Sequence, residues 1–153
     1  MDSPASNQDY VEELVKKARA ASLRLATLPT LVKDQALLAM AEGLLAKSED
    51  ILSANERDLE AFGTRKEQEA MADRLRLTPE RITEMADGIR EIVKLSDPVG
   101  ETIKLWTRPN GMKVGRVRVP IGVIGIIYES RPNVTADSAA LCLKSGNACI
   151  LRG

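Results

Sequence analysis

The sequence predicts an α/β fold in which a layer of helices leads through a β-hairpin into the first βαβ unit of a parallel sheet. Three observations carry this expectation. Apolar residues recur at helical spacing through most of positions 1–100. An Asn-Gly pair, Asn110-Gly111, then separates two stretches of strand-like alternation. Last, an apolar run from Ile121 to Tyr128 and another after Asn147 bracket a helix-like segment, the pattern of strands buried in a parallel sheet. The chain therefore divides into a helical segment (1–100), a hairpin (101–119) and the opening of a sheet (120–153).

The first eight residues, MDSPASNQ, are small and polar and read as a frayed start. Val11, Leu14, Val15, Ala18 and Leu25 then mark an amphipathic helix ending near Pro29. Leu37, Leu38, Ala41, Leu44 and Leu45 mark a second helix, and Ile51, Leu52, Leu59 and Phe62 a third. Thr64 to Leu77 is charged, with Met71 and Leu75 as its few anchors, and reads as a short helix or an ordered loop. Thr78-Pro79 restarts a helix: threonine suits the N-cap, and proline in the first helical position loses no useful hydrogen bond. Its stripe is Ile82, Met85, Ala86, Ile89, Ile92 and Val93, and Asp97-Pro98-Val99-Gly100 ends it. The hairpin arms are Thr102–Arg108 and Met112–Val119. The apolar phase of the second arm slips from even to odd positions at Gly115, which predicts a β-bulge there.

Composition narrows the function. A chain of 153 residues is long enough for one ordinary domain. Its charged residues, 29% of the chain, cancel to a net charge of zero, so no global field draws it to nucleic acid or to an anionic membrane. Aromatics at 3% are too few for base-stacking platforms. The longest apolar run, Ile121–Tyr128, is far short of the roughly 20 residues a membrane span needs. With no histidine and only Cys142 and Cys149, no zinc site is expected. No secretory pattern precedes these cysteines, so reduced thiols in a cytoplasmic protein are expected.

Gly122 and Gly125 in Pro120–Gly125 match neither the G-x-G-x-x-G fingerprint nor a P-loop, and read first as a strand that another backbone approaches closely. The loop after that strand, Glu129 to Thr135, lies where parallel strands place ligands. Within it, Asn133 is suited to donate a hydrogen bond to charge developing on an oxygen, and reads equally as a turn or helix-capping asparagine. Arg131 is suited to clamp a carboxylate or phosphate, or to pair with Glu129. Thr135 is expected to cap the helix that runs to Lys144, and Lys144-Ser145-Gly146-Asn147 reads as its C-terminus. Cys142 and Cys149 lie among apolar neighbours and are expected to be inert and structural.

The segments PIGVIGIIYESRPNVT (Pro120–Thr135) and LCLKSGNACILRG (Leu141–Gly153) resemble the aldehyde dehydrogenase superfamily, and within it the gamma-glutamyl phosphate reductase family. ANERDLEAF, DRLRLTPERITEMADGIREI, SDPVG and RPNGMKVGRVRVP are similar to the same family, so the resemblance spans most of the chain. It implies an incomplete Rossmann-like cofactor-binding domain, with 1–100 as its helical cover, 101–119 as an oligomerisation arm and 120–153 as the start of its sheet. The implied reaction is the reduction of L-glutamate 5-phosphate by NADPH to the 5-semialdehyde and phosphate, in proline biosynthesis, through a thioester on a cysteine. That cysteine belongs to a later, catalytic segment, so this chain alone is expected to be inactive.

The resemblance also implies site residues. Asn133 would be the oxyanion donor, although counting forward from Pro120 brings Arg131 to that place and leaves the two in competition. Arg131 and Asn133 would touch substrate. Ile127, Tyr128 and Arg152 would border NADP(H), with Arg152 facing the 2′-phosphate where many relatives carry a lysine at the adenine ribose. Implied partners are a second copy of the chain, through the hairpin, and the upstream glutamate kinase. The rival expectation is a non-catalytic assembly module derived from such an enzyme. Ile150-Leu151-Arg152-Gly153 stops in or just after a buried strand, which favours an N-terminal portion that associates or dissolves poorly in isolation.

Overall fold

A computed structural model describes residues 4–62, 69–129 and 131–153. Five helices come first: α1 (Pro4–Leu25), α2 (Thr30–Ala46), α3 (Ser48–Phe62), α4 (Glu69–Leu75) and α5 (Pro79–Lys94). Helix α1 begins within the segment expected to fray. Helix propagation costs far less than nucleation, so polar residues join a helix anchored downstream, and Glu12–Lys16 and Glu13–Lys17 pairs one turn apart add support. The charged segment is helical over α4, while its residues 64–68 lie outside the described residues.

Helix α5 follows its expected rule. The Thr78 hydroxyl accepts from the Arg81 amide at 3.2 Å, and Pro79 stands in the first turn. Its stripe of Ile82, Met85, Ala86 and Ile89 is buried. The last three form one core with Leu37 and Ala41 of α2 and with Ala136 and Ala140 further along the chain. Alanines at these contacts let helix backbones approach, since interaxial distance follows side-chain size. Leu38 and Leu45, expected on the buried face of α2, are instead exposed. The α2 position next to the core that the apolar pattern overlooked is Lys33, which is buried.

The hairpin joins β1 (Thr102–Thr107) and β2 (Lys113–Val117) in antiparallel register. Gly111 has φ +85° and donates to the Arg108 carbonyl at 2.9 Å, while the Arg108 amide bonds Met112 O at 2.8 Å. This makes a three-residue Pro109–Gly111 loop. The expected bulge at Gly115 is not there. Gly115 pairs with Leu105, and the register shifts between Thr102 and Lys104, so the extra residue is Ile103 on the opposite strand. A phase slip read along one strand demands an unpaired residue somewhere in the ladder, and either strand can supply it.

The last unit is β3 (Val123–Ile127), α6 (Pro132–Lys144) and β4 (Ala148–Arg152), with β3 and β4 paired in parallel. Helices α1 and α6 pack against these strands. Strand β3 is shorter than the apolar run that announced it and only partly buried: Ile121 and Ile127 are 81% and 86% exposed. Thr135 does not cap α6. Pro132 occupies the first turn and Arg131 the N-cap, because proline's fixed φ starts a helix where it stands, and Thr135 falls one turn inside.

The other end of α6 is as expected. The Asn147 amide bonds Cys142 O at 2.8 Å and the Gly146 amide bonds Leu143 O at 3.1 Å, a Schellman closure with Gly146 at φ +72°. Asn147 is buried, and its side chain accepts from the Gly122 amide at 2.8 Å, tying the start of β3 to that of β4.

Two buried lysines cross-link these layers. Lys33, at 1% exposure, pairs with Asp97 just past α5 and donates to Lys144 O at 3.2 Å. Lys144, which the sequence placed simply at a helix end, turns inward to Asp34 at 2.6 Å and to Val93 O at 2.9 Å. Each cation therefore meets a carboxylate and a carbonyl, which satisfies groups that are costly to bury alone. No helix among the described residues is long and apolar enough to cross a membrane.

Candidate functional site

The site residues expected from the sequence fall into two groups, one at the carboxyl ends of the parallel strands and one at the start of the helix that follows β3. The first lies on the strand ends themselves. Ile127 is the register partner of Arg152, and the Tyr128 amide extends the ladder by donating to Arg152 O at 3.0 Å. The Tyr128 hydroxyl is 2.5 Å from Thr135 Oγ1, which gives that threonine its place in α6. The Tyr128 ring also covers the end of β4, since a Cβ built on Gly153 would stand 2.9 Å from its Cε2. Arg152 is exposed and hydrogen-bonds Gly153 O. Ile127, Tyr128 and Arg152 thus share one end of the sheet.

The second group lies at the N-terminus of α6. Arg131 is the N-cap residue and Asn133 the second residue of the helix, so Asn133 is not the capping asparagine. Its amide instead points along the helix to Asp137 Oδ2, at a long 3.5 Å that leaves its donors nearly free. Both residues are exposed. No Glu129–Arg131 ion pair forms among the described residues, and Ser130 between them lies outside these.

Arg131 and Asn133 line a cavity of about 430 Å³ whose opposite wall comes from α4, α5 and their connection: Asp73, Arg74, Arg76, Arg81 and Glu84. This volume falls in the range of small-molecule sites. The wall is held from both sides. Buried Asn55 of α3 donates to Leu75 O at 2.9 Å and accepts from the Leu77 amide at 2.7 Å. The Arg81 guanidinium donates to Asp73 O and Arg76 O, both at 2.6 Å. The sequence reading missed this wall. Its signal was present in three arginines, at positions 74, 76 and 81, around the Thr78-Pro79 helix start, but a charged stretch more often means a solvated face.

The Cys142 thiol is not placed for nucleophilic chemistry. Cys142 is 5% exposed, and burial, with Cys149 beside it, pushes its pKa up to about 11. It stays protonated at neutral pH and packs as a small apolar group.

No protein-family model matches the chain. Curated sequences do. It is 55% identical over 141 residues to a gamma-glutamyl phosphate reductase of Mesorhizobium japonicum, covering 92% of this chain and 33% of that one. The crystal structure of the Thermotoga maritima gamma-glutamyl phosphate reductase superposes with a TM-score of 0.86 at 46% identity, over 92% of this chain and 34% of that one. The chain corresponds to the N-terminal portion of gamma-glutamyl phosphate reductases. It spans about a third of the length of the relatives it matches. The wider fold is that of the aldehyde dehydrogenases: a probable aldehyde dehydrogenase of Listeria monocytogenes aligns over 94% of this chain and 29% of its own, with a TM-score of 0.64 at 19% identity. On this α/β frame the α6 N-terminus faces a cavity, while Ile127, Tyr128 and Arg152 form a separate group at the strand ends that does not line it.

Proposed function

We propose that this chain is the cofactor-side part of an enzyme that reduces L-glutamate 5-phosphate to the 5-semialdehyde with NADPH, in the cytoplasm, as a step of proline biosynthesis. The observation that carries the reading is the placing of Arg131 and Asn133 in one cavity, within a chain 55% identical to a gamma-glutamyl phosphate reductase. When bound, the nicotinamide nucleotide supplies the hydride.

The chain's own residues supply binding and charge. Asn133 donates its free amide hydrogens to the oxygen that gains charge when the acyl phosphate is attacked, a contribution of typically ~2.7–4 kcal/mol per donor. Arg131 holds the phosphate, aided by the positive end of α6. Ile127 and Tyr128 flank the nucleotide, and Arg152 meets its 2′-phosphate, for which an exposed guanidinium at a strand end is chemically suited. The attacking thiolate comes from outside this chain, since Cys142 is inert and Cys149 lies on β4. The hairpin, with Leu105 and Met112 exposed, joins a second copy. Glutamate kinase delivers the acyl phosphate.

The test joins this chain in frame to the remainder of the Thermotoga reductase and follows NADPH oxidation with glutamyl phosphate. Turnover that falls about a hundredfold with Asn133→Ala supports the assignment. A folded hybrid without turnover, beside an active parent, overturns the function. Unchanged turnover in Asn133→Ala returns the oxyanion role to Arg131.

A further inference from the structure

The wall opposite α6 has no role in the reaction as described, yet it carries most of the cavity's charge. Not all of that charge is available. Arg81 is committed to Asp73 O, Arg76 O and Asp73 Oδ1, the last at 3.4 Å. That also engages Asp73, while Asp137, met only by the long 3.5 Å contact from Asn133, belongs to the α6 side of the cavity. Among the described residues Arg74, Arg76 and Glu84 make no side-chain hydrogen bond or ion pair to protein, although all three line the cavity. Two guanidinium groups and one carboxylate on the same wall complement an anion with a cation beside it. An α-amino acid head group is such a pair, one carboxylate and one ammonium on a single carbon.

We infer that the Arg74–Glu84 wall is the amino-acid-recognising half of the substrate site: Arg74 and Arg76 bind the α-carboxylate, and Glu84 binds the α-ammonium. This deepens the reductase reading and rests on it. The division of labour follows from position. Arg131 and Asn133 at the α6 N-terminus face the reacting acyl phosphate, and the other wall takes the end of the molecule that does not react. Binding energy gathered there positions the reacting carbon, as remote contacts do in enzymes generally. The precise holding of the wall has the same sense. Asn55 and Arg81 lock Asp73–Leu77 by four hydrogen bonds of 2.6–2.9 Å, which pre-organises Arg74 and Arg76.

The experiment is a ¹⁵N TROSY NMR titration of the hybrid protein with L-glutamate and, separately, with glutarate, which has both carboxylates but no ammonium. L-Glutamate is expected to shift amides in Arg74–Glu84 and Arg131–Asp137 saturably, and to bind about tenfold more tightly than glutarate, the worth of one charged hydrogen bond. Glu84→Gln removes that preference without weakening glutarate. Arg76→Gln weakens both ligands, and Arg57→Gln, on the far surface of α3, changes neither. All three residues are at the surface or partly exposed, so an unchanged spectrum elsewhere certifies the fold. Equal affinities for the two ligands, a preference that survives Glu84→Gln, or no saturable shift at these amides overturns the inference. If the hybrid is inactive while it still selects glutamate, the reductase reading falls and the recognition site stands. If the hybrid turns over with a KM unmoved by Glu84→Gln, the recognition site falls alone.

Discussion

Replacing Asp97 by alanine removes the carboxylate that ties α2 to the connection after α5. It accepts from Thr30 at 2.8 Å and from the Val99 amide at 3.0 Å, and it pairs with Lys33. With Asp97 gone, the Lys33 ammonium, 1% exposed, keeps only the Lys144 carbonyl at 3.2 Å. Breaking one side of a buried pair costs about 3–5 kcal/mol because the other charge stays buried and uncompensated. With a urea m-value near ~2 kcal/mol/M, the unfolding midpoint drops by about 2 M at unchanged m.

Asp97→Ala combined with Lys33→Met is expected to lose less than Asp97→Ala alone, since no bare charge remains. Burial by itself would raise the Asp97 pKa, but the Lys33, Val99 and Thr30 contacts outweigh it and hold the carboxyl below its ordinary value. A depressed folded pKa means that the stabilisation is full above the unfolded pKa of about 3.9 and is lost as pH falls through the folded value. Asp97→Asn therefore flattens the acid limb of the stability curve below about pH 4. A loss under about 1 kcal/mol in Asp97→Ala, the worth of a surface pair, would refute the claim that this link is buried and structural.

Other substitutions probe other links. Gly146→Ala puts a side chain at φ +72°, 3.0 Å from Pro120 Cγ and 3.1 Å from Val99 Cγ2, and should lower stability by at least ~1–2 kcal/mol in the same urea assay. Ile89→Ala, at 1% exposure in the three-helix core, should cost about 2–5 kcal/mol. Asn55→Ala should cost ~1–3 kcal/mol and speed hydrogen exchange at the Leu77 amide, whose acceptor it removes. In the native chain Cys142 should resist alkylation at pH 8, where a thiol with a pKa of about 11 is almost wholly protonated; modification at the rate of a free thiol would show that α6 opens.

Much of the frame was legible because local chemistry decides it. Thr78-Pro79 starts α5, Pro109-Asn110-Gly111 turns the hairpin and Gly146 closes α6, each through a backbone requirement of a few neighbouring residues. The misreadings were of the same local kind. At α6 two start signals competed, and proline at 132 prevailed over threonine at 135. In the hairpin, the pattern showed that a residue was surplus but not which strand held it, and Ile103 does.

The sequence by itself determined the helical layer, the hairpin, the parallel βαβ unit and the resemblance that led to the reductases, because periodicity, turn chemistry and motif similarity are properties of contiguous residues. Tertiary structure alone decided what charged residues do. Lys144 read only as part of a helix end and Lys33 carried no signal at all, since a lysine is ordinarily left outside unless paired, and their partners Asp34 and Asp97 are 110 and 64 residues away along the chain. Arg74, Arg76 and Glu84 became a cavity wall only when α5 packed on α6 and brought them opposite Arg131 and Asn133, about fifty residues later. Charge carries no periodic signature of burial, so its role emerges only from which distant groups the fold brings within a few ångströms.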